Sequence, residues 1–435
     1  MQGRDDSRRC WGGWANAGRF VLLLLWASGP SAGCSAAGGM EQTEPRSERP
    51  RGPAPGRGAR PLPSPLAAGS ADVEVVDQGA GGLRALDIDC GDGYCCAVLD
   101  DNTVRCWGNN TACNLGDGTT DKRERPVLAG LPQDERVPVQ VTTDYHACAL
   151  MSDGAVWCWG EGACGELGYI SYQGCVPTPR PVQYLRNATG ISVGDYHSCA
   201  TLSDGTARCW GSNSHSVLGD GTRPPGGPFR AEPRPVAGLT DVAEIAVGET
   251  HGCARLRDGT AHCWGLNLAG QLGSGAPPSA ATGTPTPVAD LKGVTDLAVG
   301  HYHSCAVLDN RTVRCWGSNR KCQLGDGEHV SRDVPTRVPG LRNVVEVAAS
   351  HGGSCARTGD GAVFCWGAVR SADRPVLCAP QRVPGLVAVE QVAVGSSFAC
   401  ARTASGAVLC WGANGARQLG DGTTQERLSP VRVRW

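Results

Sequence analysis

Aromatic side chains are scarce in this 435-residue chain, at 5% of the total, with only four phenylalanines and seven tyrosines. A dominant charge is missing too, since 40 Lys and Arg face 42 Asp and Glu for a formal net charge of -2. No basic field is available to neutralise phosphates, which argues against nucleic acid as a partner. The apolar run Phe20 to Ala27 is too short to cross a bilayer. A nucleophile elbow, an HExxH helix, a phosphate loop and a dinucleotide fingerprint are all absent, so no catalytic residue, metal or cofactor is expected and the chain does not read as an enzyme. What is abundant is glycine (62), proline (29) and cysteine (23). Glycine and proline at that level suit many turns and short strands and exclude an amphipathic helical bundle. So many cysteines point to an oxidising compartment, provided an export signal exists.

The first 34 residues supply such a signal. Arg4, Arg8, Arg9 and Arg19 precede the apolar run, and Ser31, Ala32 and Gly33 follow it. Cys34 then resembles the acylated cysteine of a bacterial lipoprotein signal, although Ser31 stands where that pattern usually has leucine. Lipidation at Cys34 is expected, with ordinary cleavage nearby as the alternative; membrane contact would be through this anchor alone, and the protein would be lipid-anchored in the cell envelope or secreted. Residues 35–70 are rich in Pro, Gly and Arg with almost nothing to bury, and read as a disordered tether with a reach of about 30 to 35 Å.

Residues 71–435 are periodic. Cys-Trp-Gly recurs at Cys106, Cys158, Cys209, Cys263, Cys315, Cys365 and Cys410, at intervals of 45 to 54 residues. Each unit runs from an apolar stretch usually ending in Gly, through a segment most often His-x-Cys-Ala, a polar turn and Cys-Trp-Gly, to a loop often ending Leu-Gly-Asp-Gly and a Pro-Val segment. Four short strands per unit fit this order. A four-stranded sheet has two apolar faces, and radial packing against copies of itself buries both, so the expected fold is an all-β, seven-bladed β-propeller of four-stranded blades. Ser192, Ala246, Ala298, Ala348 and Ala393 stand two before the glycine or its substitute, where innermost strands crowd the axis; Asp89 and the Val141-Thr142 stretch depart from this. The tryptophan after each cysteine points to the opposite sheet face and should wedge between blades. Closure could come from blade contact alone or from residues 71–78 adding an edge strand.

The motifs His-Ser-Cys-Ala (His197 to Ala200, His303 to Ala306), Asp-Gly-Thr-Ala-x-Cys-Trp-Gly (Asp204 to Gly211) and Gln-Leu-Gly (Gln271 to Gly273, Gln418 to Gly420) resemble the regulator of chromosome condensation repeat family, in its exported bacterial branch. The resemblance implies the same propeller. It leaves the role open among an interaction module, a guanine nucleotide exchange factor for a small GTPase and a secreted enzyme inhibitor.

A second cysteine lies ten positions before each Cys-Trp-Gly cysteine: Cys96 with Cys106, Cys148 with Cys158, Cys199 with Cys209, Cys253 with Cys263, Cys305 with Cys315, Cys355 with Cys365 and Cys400 with Cys410. A three-residue hairpin loop at Ser152-Asp153-Gly154 sets Met151 opposite Ala155 and brings Cys148 to face Cys158 at a non-hydrogen-bonded site, with Cα atoms about 4.5 Å apart. Seven cross-strand disulfides follow. Cys164 and Cys175 bracket a loop insertion and are expected to pair, while Cys90, Cys95, Cys113, Cys322 and Cys378 are left without assigned partners. His146, His197, His251 and His303 stand two before a cysteine and could join a metal cluster, but three repeats lack that histidine, so a structural role bonding a neighbouring loop is expected. The Leu-Gly-Asp-Gly-Thr turns at Asp117, Asp220 and Asp421 offer one carboxylate each and read as structural turns, not calcium loops.

The loops break the repeat. The third connections of repeats two, three and four are lengthened (Glu161 to Pro179, Thr222 to Pro233, Ser274 to Pro287), and repeat six is trimmed at Ala368 to Asp373. They share a face with the first loops, which carry Tyr94, Tyr145, Tyr196 and Tyr302, while Tyr169 and Tyr172 lie in an insertion and Phe229 and Phe398 join the same rim. Asp144, Asp195 and Glu249 would add an acidic edge. Rigid aromatics on loops of a stiff scaffold suit a non-catalytic surface that binds a protein or ligand. The alternative for Tyr145, Tyr196 and Tyr302 is packing between blades.

Overall fold

Every unit alternates β-branched and small apolar residues with polar ones and breaks at Gly, Asp or Pro, and it folds as four short antiparallel strands. The computed structural model describes residues 82–171, 174–222, 229–369 and 375–435. Across these, twenty-eight strands form seven four-stranded sheets, each built from four consecutive strands in meander order. The first blade comprises Ala85–Cys90, Tyr94–Leu99, Val104–Gly108 and Arg123–Leu128; the seventh ends with Arg427–Arg432. The export segment, Cys34, the tether, Tyr172 and residues 71–78 lie outside the described residues.

The second strand of a blade is buried on both faces, whereas the outermost is half solvent-facing, as in His303–Leu308 against Arg332–Arg337. Between blades the wedge is tryptophan. Six indole N–H groups donate to a backbone carbonyl in the preceding blade's third connection, among them Trp159 to Asn114 at 2.8 Å, Trp264 to Val217 at 2.7 Å and Trp316 to Gln271 at 2.9 Å. Trp107 donates to the Gln418 carbonyl at 3.0 Å, so blade 7 meets blade 1 through the same contact, and Ala85 N–H donates to the Gly406 carbonyl at 2.9 Å. Blade contact therefore closes the ring among the described residues. In five of the Leu-Gly turns the glycine sits against this indole, as Gly116 does against Trp159 and Gly420 against Trp107. At Gly273 a side chain would collide with Trp316, and its φ of 65° is one that glycine adopts without strain.

The hairpin register is as expected. Met151 N–H donates to the Ala155 carbonyl at 2.8 Å, Cys148 faces Cys158, and their Cα atoms are 4.1 Å apart. All seven ten-residue pairs are bonded this way. Cys90 pairs with Cys95 across the first two strands of blade 1.

The expected Cys164–Cys175 pair does not form. Cys175 bonds Cys113 instead, with Cα atoms 5.8 Å apart, and Cys322 bonds Cys378 in the same fashion between blades 5 and 6. The reason is geometric. The third connection of one blade leans over the outermost strand of the next, as Gly118 N–H shows by donating to the Pro177 carbonyl at 2.9 Å. A cysteine in that connection therefore meets its neighbour's strand before its own.

Three of the four histidines that could have joined metal clusters bond the next blade; for His197 the serine's place is taken by Gly252, and its Nε2 is left without a hydrogen-bond partner. His146, His251 and His303 Nε2 lie 2.6, 2.8 and 2.9 Å from the hydroxyls of Ser198, Ser304 and Ser354. Each hydroxyl donates in turn to the carbonyl of the preceding connection, as Ser304 does to Gln271 at 3.2 Å. The imidazole must then be the donor, neutral and carrying its proton on Nε2, and burial accordingly depresses all three to about 3. The Asp-Gly turns are structural: Asp117 Oδ1 accepts from Thr119 N–H at 3.0 Å while its other oxygen takes the Arg123 guanidinium at 2.8 Å.

Candidate functional site: the loop-face mouth of the axial channel

Innermost strands have one edge that no sheet partner covers, so their N–H groups need acceptors. Neighbouring blades supply them through side chains. Asp87 and Asp89 accept from Val141 and Thr143 N–H at 2.8 and 2.7 Å, Asp296 from Val347 at 2.7 Å, and Ser192 from Val247 at 3.1 Å. The seven strands thus enclose a channel of about 250 Å³. Ser192, Ala246, Ala298, Ala348 and Ala393 line it as expected, and Asp89 and Thr142 take the equivalent places in the first two blades. At the loop-face end the backbones close in. A side chain on Gly248 would overlap the backbone at Gly300, and one on Gly91 the backbone at Asp144.

The residue directly after this position forms a column of one side chain per blade: Asp92, Asp144, Asp195, Glu249, His301, His351 and Ser396. Four consecutive blades contribute an acid, the next two an imidazole and the last a hydroxyl. His301 is the hub. Its Nδ1 lies 3.1 Å from a Glu249 oxygen and its Nε2 3.3 Å from Asp195 Oδ1, and its ring stacks on His351 at 3.5 Å between centroids. His351 Nδ1 is 2.7 Å from the Ser396 hydroxyl, and the Asp144 and Asp195 carboxyls lie within 4.8 Å of each other.

Of these acids Asp195 is withdrawn from the solvated edge that the sequence suggested, at only 4% exposed, while Asp144 and Glu249 are half-buried. Burial pushes Asp144 up to about 8 and Asp195 well above the usual carboxylate range. For Glu249, burial acts upward but the hydrogen bond and charge of His301 outweigh it, leaving it lowered. For His301, burial acts downward and the Glu249 hydrogen bond and Asp195 charge reverse it, leaving it raised. Burial, with the charges of His301 and Lys321, holds His351 down at about 3.

The aromatic residues are dispersed by the fold. Tyr94 and Phe398, expected on the rim, are fully buried. Tyr145 and Tyr196 stack on each other across blades 2 and 3 with centroids 5.6 Å apart, each half-buried. Tyr169 packs on the Trp210 cluster with the Arg180 guanidinium 6.0 Å from its ring centroid. Phe229 opens the outermost strand of blade 3, at the ring's perimeter. Tyr302 is 38% exposed and stands at a cavity of about 600 Å³ beside the mouth. Its wall includes Leu268 and Pro278 from blade 4, Arg320, Lys321 and Asp333 from blade 5, and His301 and His351. Leu268 is 63% exposed.

Asp92, His301, His351 and Ser396 escaped the sequence reading. Aligning the seven units on the glycine column would have found them, because the next column is the one place where acid, imidazole and hydroxyl replace each other from blade to blade.

Twenty-eight strands in seven stapled meanders with unequal loops define a repeat β-propeller. The profile of the RCC1-like domain matches residues 68–374, and profiles of the regulator of chromosome condensation (RCC1) repeat match residues 389–418 and 405–435, so the chain belongs to the RCC1 repeat family. It is similar to the human probable E3 ubiquitin-protein ligase HERC6, 31% identical over 57% of this chain and 25% of that protein. It is also similar to the ultraviolet-B receptor UVR8 of Arabidopsis thaliana, 28% identical over 58% of this chain and 57% of that protein. The chain thus spans less than two thirds of these relatives. Among solved structures, human WBSCR16 superposes with a TM-score of 0.67 at 21% identity, covering 77% of this chain and 95% of that one. Prp20p of Saccharomyces cerevisiae superposes with a TM-score of 0.65 at 22% identity, covering 81% and 87%; its structure was described together with its binding to Gsp1p and histones. At these identities the structural matches establish the fold alone.

Proposed function

We propose that this propeller is a non-catalytic platform that captures a partner protein on its loop face, presented outside the cytoplasm on a tether anchored at Cys34. The carrying observation is the cavity at Tyr302. It sets an exposed aliphatic and an exposed aromatic side chain, Leu268 and Tyr302, beside two cations, Arg320 and Lys321. A protein segment with an apolar side chain next to a carboxylate fits this wall. Seven hairpin disulfides support the extracytoplasmic placement, and the RCC1 relatives support a protein-binding or regulatory role. Printing the loop face on a stapled ring keeps the binding surface rigid and lowers the ordering cost of association.

The test is capture from a cell-envelope extract by the purified chain, with partners identified by mass spectrometry and re-tested in pure form. Leu268→Asp with Tyr302→Ala should abolish capture while the melting temperature holds. Capture that survives this pair removes the proposed face. The exchange-factor reading predicts accelerated nucleotide release from a small GTPase, which the same protein should not produce.

A further inference from the structure

Independently of any docked protein, the channel mouth has the makings of a metal centre. Asp144, Asp195 and His301 each place one possible ligand atom within 4.8 Å of the other two. Asp144 Oδ1, Asp195 Oδ1 and His301 Nε2 are buried and have no hydrogen-bond partner, with Asp195 and His301 only 4% and 8% exposed. Three orphaned polar atoms converging in one place is an unusual cost for a fold to carry. The cost falls if a cation sits among them.

The fourth residue sharpens this. Glu249 lies 3.1 Å from His301 Nδ1 and can take the proton there, which turns the Nε2 lone pair toward Asp195 Oδ1 at 3.3 Å. A lone pair facing a carboxylate oxygen at that distance is repulsive unless a proton or a metal ion lies between. A carboxylate that holds one imidazole nitrogen while the other binds metal is the usual outer support of a metal-bound histidine.

We propose that Asp144, Asp195 and His301 bind one divalent transition-metal ion at the loop-face mouth of the channel, with Glu249 as the positioning residue for His301. Two carboxylate oxygens and one imidazole nitrogen favour zinc, manganese, iron(II), cobalt or nickel; the imidazole disfavours calcium and magnesium, and the lack of sulfur disfavours copper(I). Three protein ligands leave coordination positions open. His301 also lines the 600 Å³ cavity, so an open position would face a group entering there. The two rival clusters, Cys322, His329 and Cys378 and Cys90, Cys95 and Cys400, have all their sulfurs in disulfides and offer no thiolate.

The test uses the purified full chain, treated with EDTA and desalted, titrated with zinc and then cobalt(II) by calorimetry and visible absorption. One equivalent per chain should bind, cobalt should give d–d bands with no thiolate charge-transfer band, and the melting temperature should rise with metal. Asp195→Asn should weaken binding at least about tenfold, and Glu249→Gln by about ten- to a hundredfold as expected for an outer partner. Because Asp195→Asn also relieves carboxylate crowding, its metal-free melting temperature should equal or exceed the parent's, which separates lost ligation from lost folding. His329→Ala should bind as the parent does. Absence of stoichiometric binding, equal affinity in Asp195→Asn, or binding lost in His329→Ala alone would each overturn the proposal; the first would assign the orphaned atoms to a shared proton.

Discussion

Two regions of each repeat follow opposite rules. The cysteine hairpins are the same in all seven blades, down to Cα separations of 4.0 to 4.1 Å. The loops at the channel mouth, a few residues away, change around the ring: Asp92, Asp144 and Asp195 give way to Glu249, then to His301 and His351, and then to Ser396. The hairpins lie where each blade must match its neighbours on both faces, so any change propagates around the ring. The mouth residues meet only at the axis and can vary one at a time. Uniformity marks the architecture, and departures from it mark the surface available for recognition.

The strongest way to break this contrast is to set a wedge against a loop aromatic. Trp316→Ala removes a fully buried side chain and its bond to Gln271 and should cost about 3 to 5 kcal/mol. Tyr302→Ala should change stability by less than about 1 kcal/mol and act on capture instead. Thermal melting and partner binding on the two variants read both effects. A wedge variant that melts normally would contradict the packing account.

The next effect sharpens the comparison within the disulfides. The bond joining blades 1 and 2 spans 62 residues and a hairpin bond only 10. Loop entropy makes the first worth about 4 kcal/mol and the second at most about 3 kcal/mol, less because the hairpin is already local. Cys113→Ala with Cys175→Ala should therefore lower the melting temperature more than Cys253→Ala with Cys263→Ala. The reverse order would place the weight on the hairpins.

A smaller effect lies at Glu166, which occupies the place held by Gln271, Gln323 and Gln418 in other blades and accepts from Cys164 N–H at 2.7 Å. Its other oxygen is buried without a hydrogen bond. Burial raises its pKa from 4.5 to about 8. The folded chain therefore holds the proton more tightly than the unfolded one, so this group's contribution is full below about 4.5 and is lost as the pH rises through about 8. Glu166→Gln keeps the acceptor, removes the charge and should raise the melting temperature at pH 8 but hardly at pH 4. A gain independent of pH would contradict the assignment.

Much of the fold was legible because its determinants are local or periodic. The register of Cys148 and Cys158 follows from one turn, the wedge role of the tryptophans from strand parity, and the small residues of the channel from crowding at the axis. The inter-blade bonds of Cys113 and Cys322 were not legible, because they depend on how far one blade's connection leans over the next. The site divides the same way. Asp144, Asp195 and Glu249 stood out as acids near loop aromatics, but their burial and their convergence on His301 arise only when the ring closes. Tyr145 and Tyr196, read as either binding anchors or packing between blades, stack on each other across blades 2 and 3, and only Tyr302 among the described tyrosines of that group meets both the loop face and a cavity.

The account rests on seven internally clipped blades tied at two seams, and peptide mapping of the purified protein without reduction tests this most directly. It should return linked peptides for each of the seven ten-residue pairs together with Cys90–Cys95, Cys113–Cys175 and Cys322–Cys378. Free thiols through the hairpins, or a Cys164–Cys175 peptide in place of Cys113–Cys175, would contradict it.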